Sequence, residues 1–182
     1  MSQSGAQALD VVSSTDSLYQ FSTGLTGIVT ISADVLESSA NFNYGIAVDA
    51  PNLDFVAQIV GVGKGGFYIG NYDSNPPVVG GFAAGLWHHL LLGIDFGTRT
   101  ATGSVDGISL GSVAINTPGA PNSVGYMDLF SLATGTGNHV FFDNVTVTAT
   151  VPEPTSAAML LMGLAGALAV VRRRSRRTGP AA

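Results

Sequence analysis

The strongest constraint on the fold is the spacing of chain-breaking residues before residue 151. Gly, Asn, Asp and Pro interrupt every apolar run before the roughly ten residues that a helix needs have accumulated. The stretches between these breaks are short and rich in Val, Ile, Thr and aromatic residues, which is typical of β-strands. In residues 27–35 (GIVTISADV), Val29, Ile31 and Ala33 alternate with the residues between them. This alternation predicts a strand with two distinct faces.

The same pattern predicts further strands, at residues 54–62, 66–71, 87–95, 100–105, 108–115, 127–132 and 140–148. Asp106 and Gly107 stand between two of them, and Asp-Gly favours the type I′ turn that joins paired strands in a hairpin. Short strands connected by tight turns predict an all-β fold of the sandwich type.

Charge and cysteine content exclude several classes of function. Residues 1–150 contain two basic side chains, Lys64 and Arg99, against eleven acidic ones, which gives this part of the chain a formal charge of −9. Nucleic-acid binding needs clustered Lys and Arg, so no nucleic-acid partner is expected. The chain has no cysteine, which excludes disulfides, thiolate zinc sites and cysteine nucleophiles.

The C-terminal region has a different composition. Residues 157–171 contain no polar side chain, and Thr155 and Ser156 extend the span to residues 155–171. A helix of this length measures roughly 23–26 Å, which is near the lower limit for crossing a bilayer core of about 30 Å. Five arginines follow it, Arg172, Arg173, Arg174, Arg176 and Arg177. They fit the positive-inside rule, so we expect a single transmembrane helix with the body on the far side of the membrane. A buried helix of a soluble domain is the alternative.

Pro152, Glu153 and Pro154 precede this helix, and the two prolines predict an extended segment that an enzyme active site can hold. A Pro-Glu-Pro motif, a short apolar helix and an arginine cluster in this order resemble the PEP-CTERM sorting signal of bacterial exported proteins. The resemblance implies recognition by exosortase, a membrane transpeptidase, and cleavage near the motif. It further implies an inner-membrane anchor before processing, a cell-surface or extracellular location afterwards, and an association with exopolysaccharide and biofilm.

An exported protein of this kind should begin with a charged segment followed by an apolar one, whereas the first fifteen residues are mostly small or polar and contain no run of seven apolar residues. We therefore expect that the start is truncated, with another export route as the alternative. The predicted organisation is an N-terminal segment (1–17), a β-sandwich domain (18–150), the sorting signal (151–177) and a short tail (178–182).

A second resemblance concerns the body. The Trp-His-His sequence at 87–89 followed by an apolar run, the segment 100–107 (TATGSVDG) and the terminal strand around 142–145 are similar to the concanavalin A-like and laminin-G-like jelly roll. The resemblance implies a two-sheet sandwich that in many relatives binds carbohydrate. Extracellular polysaccharide is therefore a candidate partner besides exosortase.

Sugar binding requires an aromatic ring to stack on the sugar and polar groups to hold its hydroxyls. The candidates are Tyr68, Tyr72, Asp73 and Tyr126. Calcium is the one cofactor left open, since Asn71, Asp73 and Asn75 supply the oxygen ligands that it prefers.

No catalytic residue is predicted. Glycosidases pair two carboxyl groups, whereas Glu37 is the only glutamate before the sorting signal. An aspartate pair is the alternative, but Asp73, Asp95, Asp106 and Asp128 are mostly expected at strand ends, where Asp serves turns. The sequence therefore favours a noncatalytic surface or matrix protein. The alternative is a secreted hydrolase of polysaccharides or esters with an unrecognised site.

Overall fold

The structure, a computed structural model, describes residues 7–12, 15–38, 42–63, 65–71, 77–119, 121–132 and 138–150. The chain divides into two compact units, Met1–Thr150 and Val151–Ala182. The sorting motif, the predicted transmembrane helix, the arginine cluster and the candidate ligands Tyr72, Asp73 and Asn75 lie outside the described residues. Within the described part of the chain, no helix is long and apolar enough to span a membrane.

Twelve strands are found in the described residues. In chain order they are β1 (Leu9–Val12), β2 (Asp16–Leu25), β3 (Ile28–Glu37), β4 (Tyr44–Asp49), β5 (Phe55–Val62), β6 (Gly66–Gly70), β7 (Val79–Gly80), β8 (His88–Asp95), β9 (Thr100–Val105), β10 (Ile108–Ala114), β11 (Val124–Ser131) and β12 (His139–Thr150). The paired structure thus already includes residues before 18.

The strands form two six-stranded sheets in which all neighbours are antiparallel. The first sheet has the order β1-β12-β3-β8-β9-β10, and the second has the order β2-β11-β4-β5-β6-β7. One hydrophobic cluster contains buried side chains from both sheets. The prediction of an all-β two-sheet sandwich is therefore confirmed.

Strand alternation explains how this core forms. On β3, Val29, Ile31, Ala33 and Val35 are all at most 1% exposed, and each points to the same side because side chains alternate along a strand. Leu90, Leu92 and Ile94 continue the same face on β8 and are fully buried. Burial of each of these Val, Ile and Leu side chains contributes roughly 1.5–3 kcal/mol and holds the two sheets together.

The predicted hairpin joins β9 to β10. Asp106 and Gly107 both have positive φ, 50° and 78°, as a type I′ turn requires, and Val105 pairs with Ile108 across it. Strand β10 then continues through Ser109, whose hydroxyl accepts the backbone N–H of Gly111. Strands that follow each other in the chain thus pair in both sheets, as in β8-β9-β10 and β4-β5-β6, while the other pairings join distant parts of the chain.

Candidate functional site

Several side chains on the outer face of the second sheet are almost fully buried, although this face does not pack against the first sheet. On the second sheet, Ala47, Val60 and Phe130 point away from the main core, yet they are only 8%, 3% and 8% exposed. Phe55, Val62 and Tyr68 pack beside them in a second hydrophobic cluster. We call this outer surface of β2, β11, β4, β5 and β6 the recessed face.

The strand register places the side chains of the recessed face in three rows across the strands. The first row contains Gln20, Tyr126, Asp49 and Phe55; the second contains Leu18, Asp128, Ala47, Gln58 and Gly70; the third contains Asp16, Phe130, Gly45, Val60 and Tyr68. Adjacent rows are about 7 Å apart, because residues on one face recur every second position. Aromatic side chains therefore flank a central row that carries a carboxyl and an amide group.

A cavity of about 370 Å³ lies on this face. It is lined by Thr15, Asp16, Ala47, Asp49, Phe55, Gln58, Asp128, Phe130, Ser131 and Leu132. Its walls combine aromatic and apolar groups with three carboxyl groups and one amide, which is the mixture found in sites for small polar ligands.

Asp128 is the most perturbed acid on the recessed face. Burial, together with the nearby charges of Asp16 and Asp49, raises its pKa to about 6, although a hydrogen bond from the Ser17 backbone opposes this rise. Its Oδ1 atom is buried without a hydrogen-bond partner. Burial also raises the pKa of Asp49. Asp128 and Asp49 thus lie in an environment in which their ionised forms are disfavoured.

The position of Asp128 corrects the sequence-based expectation. It was expected at a strand end, where Asp serves turns, but β11 begins at Val124, so Asp128 lies in the middle of the strand. Relative to Asp128, Asp16 and Asp49 occupy the diagonal positions on the two neighbouring strands. Such diagonal neighbours lie about 7–8 Å apart, which is within the range of an electrostatic interaction.

Two of the predicted carbohydrate contacts lie on the recessed face. Tyr126 is on β11 and Tyr68 on β6, with two strands between them, and both are partly buried. Asn71 instead donates from its side-chain amide to the backbone oxygen of Ala114, 2.7 Å away. Sequence reasoning missed Asp16, Asp49, Asp128, Phe55 and Gln58. Only the pairing of β11 with the distant strands β2 and β4 brings the three aspartates together.

The histidines lie elsewhere and each pairs with an aspartate. The Nδ1 atoms of His88 and His89 lie 2.7 Å from Asp106 Oδ2 and Asp34 Oδ1, respectively, and His139 Nδ1 lies 2.9 Å from Asp10 Oδ2. Burial raises the pKa of Asp106, but hydrogen bonds from His88 and His89 outweigh this effect and leave the pKa lowered. Within the part of the chain that the structure describes, no group of three His, Asp or Glu side chains is arranged to hold a metal.

Glu37 forms a separate polar site inside the sandwich. It is 3% exposed and hydrogen bonds to the Tyr44 side chain, while its Oε2 atom has no partner. Burial raises its pKa, although the Tyr44 hydrogen bond and the charge of His88 lower it. Tyr44 is itself buried, and burial and the charge of Glu37 raise its pKa in turn. This pair belongs to the core and does not reach the recessed face.

A larger groove, of about 520 Å³, lies where β2 and β12 leave the sandwich open. Its lining includes Leu9, Tyr19, Phe21 and Val145, and none of its lining residues is charged. A groove of this kind offers few groups that could orient a polar ligand. The recessed face is therefore the better candidate for a functional site.

Replacing Asp128 by asparagine should raise the free energy of unfolding at pH 7.5 by about 1–2 kcal/mol, a value discounted for partial solvent exposure. The folded state keeps the Asp128 proton up to a pKa of about 6, whereas the unfolded chain loses it near the ordinary value of 3.8. The acid therefore favours folding below that ordinary value, and this contribution disappears as the pH rises through about 6. Asparagine stays neutral at every pH. In urea unfolding, the free energies of the wild type and Asp128→Asn should therefore differ at pH 7.5 and be almost equal at pH 3.5.

Asp95 provides a control in which the substitution should change the stability at pH 7.5 in the opposite direction. Hydrogen bonds from Thr98 and Gly97 lower its pKa, so Asp95→Asn should destabilise the protein at pH 7.5. If the free energy of unfolding of Asp128→Asn depends on pH in the same way as that of the wild type, then the raised pKa does not belong to Asp128.

Comparison with known proteins identifies the C-terminal signal. The PEP-CTERM protein-sorting motif matches residues 150–177, which confirms the resemblance drawn from Pro152–Pro154 and the arginine cluster. The motif indicates an exported protein, targeted to exosortase and anchored in the membrane before processing. A comparison with curated protein sequences gives no match.

The body is similar to solved β-sandwich structures. A sialidase superposes with a TM-score of 0.59 at 14% identity, covering 74% of this chain and 14% of the sialidase chain. The alginate lyase A1-II′ superposes with a TM-score of 0.53 at 12% identity, covering 70% of this chain and 64% of the lyase chain. A structure of botulinum neurotoxin type C, whose cell entry depends on two ganglioside molecules, gives a TM-score of 0.53 at 9% identity and covers 85% and 42% of the two chains. At these identities the similarity shows the fold alone, and the chain spans less than two thirds of each of these three chains.

Proposed function

We propose that this chain is an exported surface or extracellular-matrix protein that exosortase cleaves near Pro152–Pro154, and that its body is a noncatalytic carbohydrate-binding domain. The observation that carries the binding proposal is the recessed face, where aromatic, carboxyl and amide side chains share one cavity of about 370 Å³. Extracellular polysaccharide is the proposed ligand class, because the protein is directed out of the cell.

The chemistry of the recessed face suits a sugar. Tyr126 and Phe55 stand in the same row on either side of Asp49, so aromatic rings flank a hydrogen-bonding acid. Rings stack on the C–H faces of a sugar, and carboxyl and amide groups orient its hydroxyls. Gln58 supplies both a donor and an acceptor from the middle row. The names of the structural neighbours, sialidase and alginate lyase, agree with a fold suited to saccharides.

A hydrolase is the second candidate, favoured by the raised pKa of Asp128 beside Asp49. Inverting and retaining glycosidases both use a protonated and an ionised carboxyl group several ångströms apart. Against this role, one oxygen of Asp128 is buried without a partner, and Ser17 donates its backbone N–H to the Asp128 carboxyl. A general acid must reach the bond that it protonates. Asp128 lines the cavity, but Ser17 fixes its carboxyl group and one of its oxygens is buried, so this arrangement favours binding over proton transfer.

A polysaccharide binding assay tests the proposal. Purified residues 1–150 contain both sheets and the core that joins them, so they should fold without the sorting signal. They should bind at least one class of extracellular polysaccharide, and Tyr126→Ala should weaken that binding by up to about tenfold, since an aromatic contact contributes about 0.5–1.5 kcal/mol. Tyr19→Ala is the matched control, because Tyr19 is 59% exposed and lines the open groove instead.

Two outcomes would contradict this proposal. If residues 1–150 show no measurable binding to neutral, acidic or amino polysaccharides, then the body is not a carbohydrate-binding domain. Release of reducing ends that Asp128→Asn or Asp49→Asn abolishes would instead establish the hydrolase.

A further inference from the structure

Among the described residues, the ionisable groups that line the cavity of the recessed face are all aspartates. Asp16, Asp49 and Asp128 follow a diagonal across β2, β11 and β4, with steps of about 7–8 Å between neighbours. Asp16 is exposed, and Asp49 and Asp128 are partly buried. Tyr68 is the titratable group at the far side of this face, and burial raises its pKa.

The cationic side chains that the structure describes lie away from this face. Among the described residues the single Lys or Arg is Arg99, which donates from one terminal nitrogen to the Ile115 backbone oxygen at 2.9 Å and from the other to Pro121. The three histidines pair with Asp106, Asp34 and Asp10, none of which lies on the recessed face. Lys64 lies outside the described residues. A ligand carboxylate or sulfate would therefore meet only negative charge among the described groups.

We infer that the recessed face binds a polysaccharide that carries free primary ammonium groups, rather than one that carries carboxylates. This inference rests on the proposed carbohydrate-binding function and specifies its ligand class. Asp16, Asp128 and Asp49, which lie on a diagonal across three strands, provide successive sites for positive charges along a sugar chain. The aromatic side chains of the first row hold the sugar ring itself.

Two features beyond the presence of acids point to a cationic ligand. The carboxyl group of Asp128 lines the cavity that the ligand would occupy, and its Oδ1 atom has no hydrogen-bond partner among the described residues. In addition, Tyr126 and Phe55 lie in the row of Asp49, where an ammonium group paired with that carboxylate can also contact an aromatic face.

The electrostatics of Asp128 link binding to proton release. Two of the causes that keep Asp128 protonated are the negative charges of Asp16 and Asp49. A cation bound among the three groups offsets both charges and favours the ionised form of Asp128. Binding at pH 5.5 should then release protons, which calorimetry detects as a dependence of the apparent enthalpy on the buffer.

The test compares three hexasaccharides by isothermal titration calorimetry with residues 1–150. They are a β-1,4-linked glucosamine hexamer with free amines, the same hexamer fully N-acetylated, and a hexamer of uronic acids. The free amine should bind about tenfold or more tighter than its N-acetylated counterpart, with no measurable binding of the uronate, because charge-assisted pairs are about twice as strong as neutral ones. Added salt should weaken the first interaction most.

Matched variants separate a defined site from general attraction to an acidic protein. Asp49→Asn should reduce binding of the free amine by about tenfold. Asp10→Asn removes the same charge from an exposed position on β1 in the other sheet and should leave binding unchanged. Equal losses in the two variants would show that net charge alone attracts the ligand and would overturn the inference.

The remaining outcomes are also decisive. Equal affinity for the free and N-acetylated hexamers, or tighter binding of the uronate, would overturn the ammonium inference while leaving carbohydrate binding in place. Absence of binding to all three, together with a flat response to other polysaccharides, would overturn the proposed function itself.

Discussion

Replacing Pro152, Glu153 and Pro154 together by alanine should abolish removal of the C-terminal segment in the cell that produces this chain. The two prolines favour an extended backbone, whereas alanine is the strongest helix former, so the variant would extend the apolar helix predicted at 155–171 towards residue 152. A peptidase or transpeptidase needs an extended segment to reach the scissile bond. With a tag at each end, immunoblots of cell fractions should show the two tags on one membrane-bound species.

Pro180→Ala is the matched control, because it removes a proline that lies beyond the matched motif at 150–177. Processing of this control should equal that of the wild type, and deletion of the exosortase should reproduce the defect of the triple variant. A mature wild-type protein that still carries Arg172–Arg177 would contradict the sorting assignment.

Much of the sandwich was predictable because its signals are local. The strand predicted at residues 27–35 corresponds to β3, and the Asp-Gly turn sets the pairing of β9 with β10. Strand β4 (YGIAVD) was missed because all but one of its residues are buried, so it shows no alternation. Strand β2 was missed because its inner face lines the open groove and is only partly covered.

The candidate site was less predictable because it depends on long-range pairing. Tyr68 and Tyr126 were identified from residue type, and the structure places both on the recessed face. Nothing local distinguishes Asp128 from an aspartate in a turn, since its environment comes from Asp16, 112 positions earlier, and Asp49 on another strand. The sorting signal is the opposite case. Its Pro-Glu-Pro motif, apolar segment and arginine cluster are contiguous, so sequence alone was sufficient to recognise it.

Strands β4 and β5 approach each other closely at Gly45, beneath the recessed face. Gly45 on β4 pairs with Phe130 on one side and Val60 on the other. Because Gly45 has no side chain, the side chains of these two buried residues can pack across β4 at this position. A Cβ atom at Gly45 would lie 1.9 Å from the backbone oxygen of Ile59. Since that oxygen belongs to a strand in the middle of the sheet, it cannot move without disturbing the register.

Gly45→Ala should therefore lower the free energy of unfolding by about 3 kcal/mol or more, which is at the upper end of overpacking effects. It should also weaken binding on the recessed face, because Phe130 and Ala47 border the cavity. Gly80→Ala is the matched control, since a Cβ at Gly80 would meet nothing within 4 Å, and it should change the free energy by no more than about 0.5 kcal/mol. Urea unfolding monitored by fluorescence measures both variants. If Gly45→Ala unfolds at the same urea concentration as Gly80→Ala, then β4 and β5 do not approach each other as described, and the rows of the recessed face would have to be reassigned.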